Sequence, residues 1–471
     1  MSPYYGKPDF SSLPAGQEGS GRIDPVSVAD LLRNAFVQPP HSIFEGVKLA
    51  THGFDPLLDL GSSPEFRFRF RDSGKRLDHD SGDQDWVGTY HRMLCEAMTA
   101  CSATMSSPWL LQSGGKDSTS LAIAASDARP DTTCITYLGG REENEVTSAL
   151  AVARTLGLRH ESLTCDPGRA YDRYLALVGR MPLLTADFAL LSYVDLATEV
   201  ACSGGDGIID GLGSDCYFGA PASRQHRLLS GLAMGLRLPR VLTELPLVNR
   251  SFSLCFAIST LQMEPLERMF PGTRFTNAEV DALFGFDIAR FSSKRMESYR
   301  AEIDSATSLD EVRAMSMAIA EAAGAYAKGL YTTSALGLRA AYPYCSAELR
   351  EWIYREVPAD QLVDPVTRAS KVLVRRHIAT RFDSLPYVAR KGSFRFDLCG
   401  LAAIRYEAVH ALAHCASDLL PGAVPWLERN RRRLDNKYHA SKFYLLAVVL
   451  PWILHHGMQP RAGGGAAMEA R

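Results

Sequence analysis

The chain has 471 residues, enough to bury one large core or two. Charged residues make up 22% and the formal net charge is −2, which offers no basic surface for nucleic acid and no polybasic patch for a membrane. The ten cysteines are scattered without a CxxC, so neither a zinc site nor a disulfide framework is expected, and reduced thiols in a cytoplasmic protein are the simpler account.

In chain order, residues 1–22 contain no apolar run of signal-peptide type and are expected to be disordered. Asp24-Pro25 reads as a helix start, a capping side chain followed by proline at the first helical position. Val28, Leu31, Leu32 and Phe36 follow at helical spacing. Ser42–Val47 reads as a strand or turn, and EFRFRFR (65–71) alternates strictly, as a half-exposed strand does. A helical segment from about 83 to 105 carries Trp86, Tyr90, Met93, Leu94 and Met98. From 109 to about 220 strands alternate with helices, which argues a parallel sheet with helices on its faces. The strands are expected at 109–112, 133–137, 161–164 and 207–210, with a helix from Glu145 to Leu156 closed by Gly157. Beyond 220 the chain is mostly helical, with helices expected near 309–330, 347–356, 366–381, 401–416 and 438–454. The most apolar late stretch, 443–454, is too short to span a bilayer and is broken by Pro451, so it reads as a buried helix. The tail 458–471 is expected to be disordered.

Residues 109–120, WLLQSGGKDSTS, carry the chemistry. A short apolar run enters the turn Ser113-Gly114-Gly115, and Lys116-Asp117-Ser118 opens an Ala-rich helix. Strand, glycine turn and helix N-terminus together present backbone N–H groups and a positive dipole end to an anion. The spacing is not that of GxxxxGK[ST], and there is no GxGxxG. A second glycine turn, Gly211-Leu212-Gly213-Ser214-Asp215, ends another strand. His455-His456 point apart on a helix, and His160 and His377 have no partner that the sequence identifies. The run 429–433, with four arginines, reads as a solvated helix face.

SGGKDS resembles the pyrophosphate loop of the ATP pyrophosphatases. With IIDGLGSDCYFG (208–219), SALGLRAAYPYCSAELREWIYREVP (334–358), SKVLVRRHIATRFDSLP (370–386) and ARKGSF (389–394), it resembles the synthetase domain of asparagine synthetase-like enzymes, a group that includes β-lactam-forming and lasso-peptide-forming relatives. The resemblance runs over roughly residues 24–454. It implies an adenine-nucleotide α-hydrolase-like, HUP-type α/β fold, a parallel sheet with helices on both faces, followed by a mostly helical C-terminal part. It divides the chain into a remnant of an amidotransferase-like domain and linker at 23–80 and an ATP-pyrophosphatase domain at 81–457. It implies that Ser113, Gly114, Gly115, Lys116, Asp117, Ser118, Gly211 and Gly213 bind ATP and its pyrophosphate, that Asp117 and Asp215 hold Mg²⁺, and that 133–140 contacts adenine and ribose through its backbone. It assigns Lys391, the lysine of the family's R-x-K-x-G-F segment, a catalytic role at the reacting acyl phosphate, although here the arginine-to-lysine spacing is one residue shorter. Lys371 and Arg375 fit the family's K-x-x-x-R helix, and a salt-bridged helix face explains them equally well.

The departures narrow the substrate. The family's SGEGSDE loop has glutamates where this chain has Leu212 and Cys216. Its G-L-E-A-R-x-P-F-L-D segment has lost glutamate, arginine and aspartate to Arg339, Ala341 and Ser346, so an aspartate pocket is not expected. No cysteine follows Met1 and about 40 residues precede the linker, so no glutaminase domain is expected. The expected function is an ATP- and Mg²⁺-dependent ligase that adenylates a small-molecule or peptide carboxylate, releases pyrophosphate and forms an amide or lactam with an amine or ammonia, in specialised-metabolite biosynthesis. A nucleobase- or tRNA-modifying pyrophosphatase and a catalytically degenerate partner protein are the alternatives. A homodimer or a biosynthetic partner protein stays open, with no nucleic acid and no membrane as partner.

Overall fold

In the computed structural model the described residues are 21–49, 84–139, 143–218, 246–270, 274–384 and 396–457, with short pieces at 5–6, 8–11, 54–57 and 65–68 and single residues at 13, 221, 238 and 242. Lys391 with its neighbours in 385–395, and the tail 458–471, lie outside them.

Eight strands are present among the described residues: β1 (Tyr5–Gly6), β2 (Phe54–Leu57), β3 (Glu65–Phe68), β4 (Pro108–Leu111), β5 (Thr133–Leu138), β6 (Arg159–Thr164), β7 (Gly207–Ile209) and β8 (Arg339–Ala341). β2 and β3 form a separate antiparallel pair, which includes the first half of the alternating EFRFRFR stretch. The other six form one sheet in the order β1-β8-β7-β4-β5-β6. β8, β7, β4, β5 and β6 are parallel, and β1 is an antiparallel edge. All four expected sheet strands are present. Two were missed. β8 has three residues in a segment that reads as a turn, too short for any periodicity to show. β1 lies in the segment expected to be disordered, and main-chain pairing with Ala340 and Ala341 orders it.

The central strands β4, β5 and β7 are buried along their length. Buried on both faces, they read as continuous apolar runs. One face is covered by the helices Trp86–Ser102, Lys116–Ala128, Ala347–Arg355 and Val372–Ala379. Leu190–Cys202 covers the other face, with Tyr193, Leu196, Ala197 and Val200 against Trp109, Ile135 and Ile208. The chain goes from β4 outward to β5 and β6, then returns to β7 on β4's other side. The strand order therefore reverses between β4 and β7, and the crevice beyond their carboxyl ends is where open parallel sheets bind ligands.

The largest apolar core lies in the helical half. Pro25–Asn34, capped by Asp24 as the sequence indicates, shares this core with Pro167–Leu177, Leu398–Cys415 and Lys437–Gly457. The segment before the expected boundary near 80 is thus packed into the same core as the C-terminal helices. Residues 438–453 of the last helix are buried on every side, which explains an apolar run with no polar face. Among the described residues no helix is long and apolar enough to cross a membrane.

Candidate active site

The loop after β4 is braced from within. The Ser118 hydroxyl accepts from the Ser113 amide at 3.1 Å and lies 3.1 Å from the Ser113 hydroxyl, which in turn accepts from the Gly115 amide at 3.2 Å. Both hydroxyls therefore shape the loop itself. The helix Lys116–Ala128 starts at Gly115 with no side chain capping its N-terminus, so its positive end is left to a ligand. The Ser214–Tyr217 turn follows β7, and Gly213 before it has φ +101°, a left-handed conformation that a side chain would strain. Gly211 passes so close to the first loop that a Cβ there would lie 3.4 Å from Leu121 and 3.9 Å from the Ser118 amide nitrogen.

Between the two loops stands Lys371. Its side chain is 1% exposed, and its Nζ donates to Asp117 Oδ1 at 2.8 Å and to Ser214 Oγ at 2.8 Å, and pairs with Asp215. Burial alone would lower its pKa, but Asp117 and Asp215 outweigh burial and raise it. Lys371 is thus an ammonium at neutral pH. Its backbone has φ +62°, a strained position for a lysine, at which the chain turns into Val372–Ala379. The helix expected over 366–381 consequently starts only at Val372.

Asp117 and Asp215 are brought together as expected, but through an ammonium. Lys371, one of two readings of a K-x-x-x-R pattern, is the residue whose weight the sequence understated. Its register as the residue before a helix, rather than on one face of it, is visible only once the 364–371 turn is folded. Lys116 lies beside the same cluster, where burial lowers its pKa first of all and Lys371 and Arg375 add to that. Tyr344, fully buried, donates to the Asp117 carbonyl at 2.9 Å and ties the first loop to the segment after β8.

A cavity of about 230 Å³ opens on these loops, bounded by Ser113, Asp117, Ser118, Asp210–Asp215, Glu321 and Lys328. Four carboxylates and one ammonium line it. A polyanion enters such a place only with cations to offset its charge, and oxygen donors of this kind suit a hard divalent ion. Among the described residues no three His, Cys, Asp or Glu side chains are grouped to hold a metal by themselves, so phosphate oxygens would have to complete the shell.

The histidines without partners in the sequence find them here. His377 Nδ1 is 2.8 Å from the Ser120 hydroxyl and its Nε2 2.9 Å from His91 Nδ1. Ser120 is fully buried on the first-loop helix, so this chain braces that helix against Val372–Ala379 rather than presenting a nucleophile. His160 meets Thr136 at 2.9 Å. His456 reaches the Val178 carbonyl at 3.1 Å and stacks on Trp452. Arg431 covers the Tyr406 ring at 4.4 Å.

Residues 103–418 match the family described as asparagine synthase. Among solved structures, NMN synthetase from Francisella tularensis is similar, at 17% identity over 46% of this chain and 94% of that chain. Its TM-score is 0.22, a likeness too low to argue from. No curated protein matches the chain.

Proposed function

The chain belongs to the asparagine synthase family, an ATP-dependent ligase family, and on that footing we propose that it activates a carboxylate with ATP and Mg²⁺ and joins it to nitrogen. A carboxylate oxygen attacks the α-phosphorus, the bond to the β,γ-pyrophosphate breaks, and an acyl adenylate forms. An amine or ammonia then adds to the acyl carbon, loses a proton, and AMP leaves with the bonding electrons. The observation that carries this reading is Lys371, held as an ammonium between Asp117, Asp215 and Ser214 at the mouth of the uncapped helix.

Each residue then has a task. The N-terminus of Lys116–Ala128 receives the departing pyrophosphate. Lys371 fixes both carboxylates and so sets the spacing of the two loops, as a preorganised charge does. Asp117 and Asp215 would hold Mg²⁺, which supplies charge neutralisation to the phosphates. Glu321, on the cavity wall formed by a π-helical turn, is the carboxylate we assign as acceptor of the nitrogen's proton. Lys391 we assign to the acyl phosphate in the second half-reaction. Specialised-metabolite assembly in the cytoplasm is the setting we propose.

The test is pyrophosphate exchange and product analysis across candidate acids. AMP and pyrophosphate are the expected products, and ADP with phosphate would overturn the reading. Lys391→Met should leave exchange largely intact while amide formation falls by on the order of a hundredfold; wild-type product yield would remove Lys391 from the mechanism.

A further inference from the structure

The π-helical turn Glu321–Tyr326 is a wall with a cavity on each side. Glu321 faces the cavity already described, whereas Ala320 and Gly324 line a second cavity of about 320 Å³. The Lys328–Asp187 pair, 3.4 Å apart, spans the same wall, with Lys328 lining the first cavity and Asp187 the second. π-bulges of this kind occur frequently at functional sites. The volume lies within the range of small-molecule sites.

The second cavity is lined by apolar side chains together with two arginines and Asp187. Phe36, Phe188 and Phe270 supply the apolar surface. Arg313 lines it from the same helix face as Ala320, seven positions earlier, which is about 10 Å at 1.5 Å per residue. Arg274, 6% exposed, lines it as well. The Arg274 guanidinium donates to the Glu267 carbonyl at 3.1 Å and to Met263 Sδ at 3.4 Å, and among the described residues to no carboxylate, because Arg33 takes the Glu267 side chain. Asn34, 7% exposed, lines the same cavity and has a buried Nδ2 with no acceptor among the described residues. A buried cation that no described carboxylate accepts from, with Glu267 acting on it only through space, and a buried donor with no described acceptor are both costly, and one anionic ligand group in the cavity they share would relieve both.

We infer that this second cavity receives the body of the acyl substrate, a small acid with an aromatic-sized apolar middle and a second carboxylate bound by Arg274, Arg313 and Asn34. Its reacting carboxylate would meet the nucleotide side where the Lys328–Asp187 pair lines both cavities. Burial first, and Arg33 second, draw the Arg274 pKa down to about 9; the group is still charged at neutral pH, and a bound anion would push that value back up. The inference rests on the ligase reading for the direction of the reacting end, and on the second cavity alone for the anion site.

The probes are arylene diacids of increasing length, beginning with 4-carboxyphenylacetate, each compared with its monoacid (phenylacetate for the first). Binding to the full chain is read by calorimetry and thermal shift without turnover, and protection by ATP with Mg²⁺ is read in the same samples. At least one diacid should bind about tenfold or more tightly than its monoacid, with Arg313→Gln and Arg274→Gln removing most of that preference. Arg274→Gln leaves a shortened side chain in the core; if it unfolds, Arg313→Gln and Asn34→Leu decide the matter. No preference in any pair, or a preference that survives in every folded variant, overturns the anion site. ATP protection without diacid preference leaves the ligase reading standing and removes this inference. Diacid preference without ATP protection does the reverse.

Discussion

The two cavities separated by the π-helical turn are built on opposite plans. The side we assign to the nucleotide is made of two short loops, at the ends of adjacent strands, whose shape comes from glycines, serine hydroxyls and one ammonium. The side we assign to the acyl substrate is made of side chains drawn from four separate stretches near residues 34, 187, 270 and 313. Backbone sites tolerate few residue types and so recur as a motif, whereas a side-chain cavity can be rebuilt without disturbing the fold. This difference lets one chemistry be kept while its acid changes.

The largest effect that would break this comparison is at Lys371. Lys371→Met should abolish pyrophosphate exchange, a loss of a hundredfold or more. It also leaves Asp117 buried without its cation, and should cost about 3 kcal/mol of stability, read as a lower denaturation midpoint. Asp117→Asn should lose on the order of a hundredfold in exchange while losing much less stability. Combining the two changes should restore part of the stability lost by Lys371→Met, since the unpaired charge is gone. Additive losses would mean that the ammonium and the carboxylates act separately.

On the substrate side Phe270→Leu should raise the KM for the acid by up to about tenfold and leave the KM for ATP unchanged. Equal changes in both would merge the two cavities into one site.

Acid should act on the nucleotide side. Burial first, then His91 and Arg381, lower the His377 pKa to about 3. The unfolded chain takes up that proton near pH 6.5 and the folded chain does not, so stability falls as pH drops below about 6.5 and keeps falling toward 3. At pH 5 the loss from His377 is about 2 kcal/mol. His377→Gln should flatten that part of the stability curve, measured by denaturation between pH 7 and 5. An unchanged slope would place the acid sensitivity elsewhere. The smallest expected effect is at Lys116, where Lys116→Gln should change the KM for ATP by only a few-fold.

What the sequence reveals follows the same division. Ser113–Ser118 and Asp215 are legible because turn and phosphate chemistry dictate their residue types one by one, and the three buried strands β4, β5 and β7 because apolar runs of that length have few other uses. β8 is not legible, since three residues carry no period. Lys371 is only half legible: its charge is visible, but its burial depends on a left-handed residue that no spacing announces. Arg274, Asn34 and Arg313 give no signal at all, as each is an ordinary polar residue until the helices bring it to one cavity. Lys391 lies outside the described residues, and its role rests on the resemblance alone.

The strand β1 bears on solubility. A parallel sheet of five strands has two open flanks, and this one blunts them differently. β6 carries the exposed charges Arg159 and Glu161, which discourage another chain from pairing there. β8 has the alanines Ala340 and Ala341, and Tyr5–Gly6 lies across them. Trimming the first seven residues, or fusing a bulky tag to them, would uncover the backbone edge at Ala340 and Ala341 and should favour self-association.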